Sequence, residues 1–175
     1  AGSIYYINSM KAASSVDDFV HVEVSQNRAH ENQSLENPKP SVSDYIIDEN
    51  AIKQKSVMYR QAPELRGIVG YLNTGPDINI QDLKGKVVLI DFWTYTCINC
   101  IRTLPYITAW DEKYSDQGLL IVGIHSPEFE FEKDPENVQM AVYKHGINYP
   151  VVLDNEMETW KAFENRYWPR KYIAD

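Results

Sequence analysis

The stretch VVLIDFWTYTCINCIRTLP, residues 87–105, holds both cysteines of the chain, and the remainder is read outward from it. Val87, Val88, Leu89, Ile90, Phe92 and Trp93 surround a single acid, Asp91. This β-branched apolar run has the length and character of a buried parallel strand. Thr94, Tyr95 and Thr96 favour a turn after it, and Thr96 is placed to cap a helix opening at Cys97 and running towards Tyr114. A cysteine at a helix N-terminus meets free backbone N–H groups and the positive end of the helix dipole, which favour a thiolate over a thiol. Cys97 is therefore the candidate nucleophile. Cys100 lies nearly one turn deeper, within disulfide reach and more sheltered, as suits a resolving thiol.

Composition narrows the function. Seventeen basic residues against twenty-five acidic ones give a net charge of −8, which argues against nucleic acid or an anionic membrane as the principal partner. At 175 residues, 43% of them hydrophobic and 12% aromatic, the chain can bury one core and still carry a tail. Two cysteines cannot build a scaffold of several disulfides, so the fold must stand on its core and the pair is free for chemistry. No apolar run approaches the ~18 residues of a spanning helix. The chain opens at Ala1 without a Met, which leaves room for a membrane tether upstream.

Residues 1–61 read as an N-terminal tether or linker, largely irregular. SIYYINSM, residues 3–10, is an apolar patch long enough for a strand. Residues 21–44 run polar to Pro38 and Pro40 and bury too little to offset their ordering entropy. Residues 43–60 carry Ile46, Ile47, Ala51, Ile52 and Val57 at spacings that permit a short helix.

From residue 62 to 175 the chain reads as a compact domain. Residues 68–72 and 78–80 read as two short strands of a hairpin around Asn73-Thr74-Gly75-Pro76. Ile101, Leu104, Ile107 and Trp110 form the sheet-facing stripe of a helix that Pro105 should kink and Gly118 should end. Residues 119–124 form a second apolar strand, and a helix between two such strands makes a βαβ unit with parallel strands. SPEFEFEKDPE, residues 126–136, reads as a strand or extended loop with Phe129 and Phe131 on one side. A helix over 137–145, ended by Gly146, a third strand over 149–153, a helix over 158–166 with Trp160 and Phe163 inward, and a strand at Tyr172-Ile173 follow.

Asp91-Phe92-Trp93, three residues, Cys97-x-x-Cys100 and Pro105 five further on together resemble the active-site segment of the thioredoxin superfamily. The longer string FWTYTCINCIRTLPY, residues 92–106, is similar to the thioredoxin-like domain of DipZ-type proteins, where such a domain accompanies a CcdA-like membrane electron carrier. Membrane-tethered reductases of the TlpA and ResA kind share this plan. The resemblance implies an α/β thioredoxin-like fold: a βαβ core with an N-terminal hairpin and the inserted strand and helix of the TlpA and peroxiredoxin branches. It also implies a cis bond at Pro169, beside the cysteines. The final antiparallel strand and C-terminal helix of the superfamily are not found before Asp175, which would leave a sheet edge exposed and prone to association.

The activity so implied is thiol-disulfide exchange outside the cytoplasm, at the periplasmic or cell-surface side of a membrane, in the direction of protein-disulfide reduction. The Cys-Ile-Asn-Cys dithiol would need no cofactor beyond its own disulfide, Cys97 to Cys100. Partners would be disulfide-containing or dithiol client proteins and a CcdA/DsbD-like membrane electron donor, with no nucleic acid. Asp91, costly to bury unpaired and so raised in pKa, would relay a proton to or from Cys100; the plainer reading is an acid bonded to backbone or a lysine. Trp168, Pro169, Tyr95 and Thr96 would bind the client, Pro169 by exposing neighbouring backbone to an extended segment.

Two other readings stand beside this one. A peroxiredoxin-like thiol peroxidase needs Pro-x-x-x-Thr/Ser-x-x-Cys, and the residues seven before Cys97 and Cys100 are Ile90 and Trp93 where that pattern has Pro. A non-enzymatic metal-binding or scaffold module would need His125 and His145 to complete a zinc site with the cysteine pair. The acidic 128–136 segment is either a solvated loop or a dock for a basic partner.

Overall fold

The computed structural model describes residues 6–10 and 49–175. Its centre is β3 (Val87–Trp93), whose side chains alternate between two cores as the two-residue period of a strand dictates. Val88, Ile90 and Phe92 join a cluster with Val122, Ile124, Val152, Trp160, Phe163 and Tyr172. Leu89 and Trp93 join the opposite cluster, with Cys100, Leu104, Ile107, Ile121, Val138, Val142 and Tyr149. Asp91 belongs by parity to this second face.

Among the described residues β3 lies inside a sheet with β1 (Tyr6–Met10), β2 (Gly70–Leu72), β4 (Leu119–His125), β5 (Val151–Leu153) and β6 (Arg170–Ala174). The order is β1-β6-β3-β4-β5-β2. The three central strands β3, β4 and β5 run parallel, while β6, β1 and β2 run antiparallel to their neighbours. Helix α2 (Ile98–Tyr114) makes the β3 to β4 crossover that the sequence implies, and it runs on through Pro105. A 3-10 turn, Ser115–Gln117, follows it, and Gly118 closes that turn in the left-handed conformation that glycine adopts without a Cβ clash. Helix α3 (Pro135–Lys144) lies with α2 on the second face. Helix α4 (Glu158–Ala162) places Trp160 on the first face, with Phe163 just beyond its end.

The N-terminal hairpin is not formed. Residues 70–72 pair with β5 instead, in the register Gly70–Leu153 to Leu72–Val151. Ile80–Leu83 is a 3-10 turn. The reason is local: the Glu64 carboxylate accepts from the Ile80 and Gln81 N–H groups at 2.9 and 2.7 Å, and Asn79 accepts from Asp82 N–H at 3.0 Å. Donors that a hairpin would have used are thus satisfied by side chains, and Ile80 is fully buried beneath them.

The segment around Phe129 and Phe131 is likewise a 3-10 turn, Glu130–Lys133, rather than a strand, although the two rings do lie together. The third strand begins at Val151, and the last helix stops at Ala162. The outer edge of β6, expected to stand open, pairs with β1 over Tyr6–Ala174 to Met10–Lys171. Helix α1 (Glu49–Met58) falls within the segment read as helix-competent, and its Lys55 forms an ion pair with Asp175. The polar linker reading of residues 21–44 lies outside the described residues.

Phe92 stands edge-on to Trp160, Phe163 and Tyr172, with ring centroids 5.8, 5.3 and 5.7 Å away. Phe92→Ala is expected to lower the unfolding free energy by about 3–5 kcal/mol through the cavity it leaves, measured by urea denaturation against the parent chain.

Candidate active site

The chain leaves β3 at Trp93 and reaches the N-cap of α2 four residues later. Cys97, not Thr96, is the N-cap: its φ and ψ are −69° and 109°, and its Sγ accepts from the Cys100 N–H at 3.3 Å. Its sulfur is thus aimed at the helix N-terminus, where unpaired amides favour negative charge. Cys97 is partly exposed and Cys100 is buried, both as free thiols. Burial pushes the Cys100 thiol well up, and its contact with Cys97 pushes further in the same direction.

Beneath the thiols lies a buried ion pair. Asp91 and Lys171 face each other across the antiparallel β3 and β6 register, so the strand pairing itself brings the two side chains together. Lys171 Nζ donates to Asp91 Oδ1 at 2.9 Å and to Thr103 Oγ1, on α2, at 3.3 Å. Asp91 Oδ2 has no hydrogen-bond partner. Burial raises the Asp91 pKa, and the charge and hydrogen bond of Lys171 oppose that rise. The register continues to Phe92–Arg170, which brings Pro169 level with the end of β3 where the cysteine loop begins. The Trp168–Pro169 peptide is cis. Trp168 and Tyr95, both partly buried, pack with Cys97 against the core that holds Trp93 and Cys100.

A second loop leaves β4 at the same carboxyl end of the parallel strands, the usual position of sites in such sheets. Trp93 and His125 are register partners. His125 is buried edge-on to Trp93, lies 5.7 Å beneath the Tyr95 ring, and meets Thr94 Oγ1 at 3.3 Å through Nε2. Desolvation lowers its pKa from 6.5 to about 4. Glu132, also fully buried, accepts from the Glu128 and Phe129 N–H groups at 2.6 and 3.0 Å and from the Thr96 hydroxyl. Burial pushes its carboxyl up, but these hydrogen bonds outweigh that and hold it below the ordinary value. Glu132 therefore clamps the 126–134 loop to the residue preceding Cys97.

Cys97, Cys100, Asp91, Tyr95, Thr96, Trp168 and Pro169 are thus gathered at one end of the sheet. Lys171, Thr103, His125 and Glu132 complete the neighbourhood. Lys171 follows Pro169 by two residues, a spacing that pointed to it only once the β3 to β6 register was known. His145 caps the end of α3. Among the described residues no group of three or more His, Cys, Asp or Glu side chains is placed to hold a metal ion.

Fold and site together define a thioredoxin-like domain of the thiol-disulfide oxidoreductase class. The chain belongs to the Redoxin family, whose model matches residues 60–173. It is 50% identical over 116 residues to Protein DipZ of Mycobacterium tuberculosis, a match covering 65% of this chain and 17% of DipZ. Over 113 residues it is 34% identical to the thiol-disulfide oxidoreductase YkuV of Bacillus subtilis, covering 65% of this chain and 75% of YkuV. Among solved structures, a thioredoxin-like protein in its oxidized form superposes with a TM-score of 0.58 at 30% identity, covering 65% of this chain and 76% of that one.

The depressed His125 pKa fixes a pH dependence. Between pH 6.5 and about 4 the unfolded chain takes up a proton at residue 125 and the folded chain does not, so stability is complete above pH 6.5 and falls with pH. Glu132, held low, adds a loss of the same sign below its ordinary 4.5. His125→Gln is expected to flatten the acid limb, retaining about 2–3 kcal/mol that the parent loses between pH 7 and about pH 4.5. Urea titrations of both chains at the two pH values check it.

Proposed function

We propose that the chain is an extracytoplasmic reductase of protein disulfides, with residues 62–175 carrying the chemistry and residues 1–61 serving as a tether whose strand Tyr6–Met10 returns to the sheet. The observation that carries this reading is the pairing of a partly exposed Cys97 at the N-cap of α2 with a buried Cys100 whose N–H lies 3.3 Å from its sulfur. One thiol is open to a client and held where charge is favoured, and the other waits behind it.

In the forward direction the Cys97 thiolate attacks one sulfur of a client disulfide. The client S–S bond breaks, its second sulfur leaves as a thiolate, and a mixed disulfide joins Cys97 to the client. Cys100 then gives up its proton and attacks Cys97 Sγ, releasing the client's first sulfur. The client gains two electrons and two protons in all, and the domain is left with the disulfide Cys97 to Cys100. Asp91, with one oxygen on Lys171 and the other unpartnered, is the proton acceptor for Cys100. Tyr95, Thr96, Trp168 and Pro169 bound the space the client segment occupies. The oxidised pair is returned to the dithiol by a CcdA/DsbD-like membrane donor, so no bound cofactor takes part.

The reductive direction and the extracytoplasmic setting rest on the resemblance to DipZ-type domains and the ResA kind. No helix among the described residues is long and apolar enough to cross a membrane.

The deciding measurement is the equilibrium reduction potential of the Cys97 and Cys100 pair in a thiol buffer series. A value at or below about −250 mV is expected; one near about −120 mV would make the chain a disulfide donor and reverse the proposed direction. Cys97→Ser should abolish exchange. Cys100→Ser should accumulate a mixed disulfide with the client, visible on a non-reducing gel, and normal turnover by that variant would sink the assigned roles.

A further inference from the structure

Two large apolar side chains beside the cysteine loop are left in water. Phe129 and Phe131 are 48% and 56% exposed, yet their rings stack with centroids 5.6 Å apart and planes within 3°. Phe131 also meets the Tyr95 ring at 6.4 Å, and Tyr95 Oη donates to the Phe131 carbonyl at 3.2 Å. Tyr95 precedes Cys97 by two residues, so this aromatic ledge is continuous with the reactive loop.

The ledge is rigid for a reason internal to the fold. Its turn is closed by the buried Glu132 carboxylate, which takes the Glu128 and Phe129 N–H groups on one oxygen and the Thr96 hydroxyl on the other. Rings held this way lose little further freedom on binding, which is the condition for a good aromatic anchor. Charge selects the occupant. Glu130 is engaged by Lys133 at 3.1 Å and Asp134 accepts from the Glu136 N–H at 2.9 Å as the cap of α3, whereas Glu128 and Glu136 are exposed on the same segment as the rings. Lys133, the one cation of the segment, is further drawn to Glu156 at 3.7 Å.

We propose that Phe129 and Phe131 form a specificity ledge for client proteins, engaging an extended segment with an aromatic or large aliphatic side chain and a Lys or Arg close to its disulfide cysteine. The inference rests on the oxidoreductase reading above and adds to it the kind of client taken. The apolar residue lies on the rings and the cation meets the surrounding carboxylates.

The test compares the full chain with Phe129→Ala/Phe131→Ala on three substrates. These are a disulfide-bridged peptide with Phe and Arg beside its cysteine, a matched peptide with Ala and Glu there, and 2-hydroxyethyl disulfide, whose turnover normalises each protein to its active fraction. The parent chain is expected to favour the Phe-Arg peptide about tenfold in kcat/KM, chiefly through KM, with the preference shrinking as salt rises. The double variant is expected to lose most of that preference. A parent that treats the two peptides within about twofold, or a variant that keeps the full preference, overturns the ledge while leaving disulfide exchange intact. Failure of the parent to turn over even 2-hydroxyethyl disulfide overturns the oxidoreductase reading and the ledge with it.

Discussion

The ion pair between Asp91 and Lys171 is the constraint around which the site is arranged. A carboxylate 1% exposed in the middle of an apolar strand costs several kcal/mol unless a partner meets it, and the partner comes from the adjacent strand at the one register that sets residue 171 opposite residue 91. A slip of one residue would send Lys171 to the opposite face, among Phe92, Phe163 and Trp160, and strand the acid. The same register carries Pro169 to the end of β3 and leaves Thr103 of α2 beside the ammonium. The charge requirement of one residue therefore holds three elements of the site in place.

Ion pairs of this kind are poor sources of stability, because well-packed apolar side chains of similar size serve as well or better. Their value here lies in the asymmetry they leave. Oδ1 of Asp91 is committed to Lys171 while Oδ2 is unpartnered, and the nearby Cys100 thiol is held protonated by burial. In the proposed mechanism the pair sets how readily that proton leaves. The neighbouring His125 stays neutral, its pKa lowered to about 4 by the same desolvation. Acid-base behaviour at this end of the sheet thus follows from burial, with each group's partner deciding how far the effect goes.

The parts of the fold legible in the sequence are those written in local pattern. The strand at residues 87–93, the helix after the cysteines, the second strand and the parallel crossover follow from apolar periodicity and from Gly118. What escaped reading depended on residues distant in the chain. Residues 78–80 carry a strand-like pattern, yet Glu64, sixteen positions earlier than Ile80, takes the amides a hairpin would have shared. The strand at 70–72 pairs with β5 rather than with its sequence neighbour. Thr96 has the usual capping side chain, but its hydroxyl is spent on Glu132, and the sulfur of Cys97 takes over the cap. Glu132 itself is one of several acids in a segment that reads as solvated surface. Only the closure of the turn shows that it is buried.

Reactivity and recognition are thereby built from different materials. The thiols, Asp91 and Lys171 sit on regular elements whose geometry the sheet register fixes, which suits chemistry that tolerates little displacement. The surfaces a client would touch come from the two loops at the carboxyl ends of β3 and β4 and from the Trp168–Pro169 turn before β6, outside the regular elements of the sheet. Glu132 joins the two systems. By bonding Thr96 and the 128–129 backbone with one side chain, it ties the residue before Cys97 to the turn that displays Phe129 and Phe131. A client seated on that turn would therefore be placed relative to Cys97 through this buried carboxylate together with the bond from the Tyr95 hydroxyl to the Phe131 carbonyl.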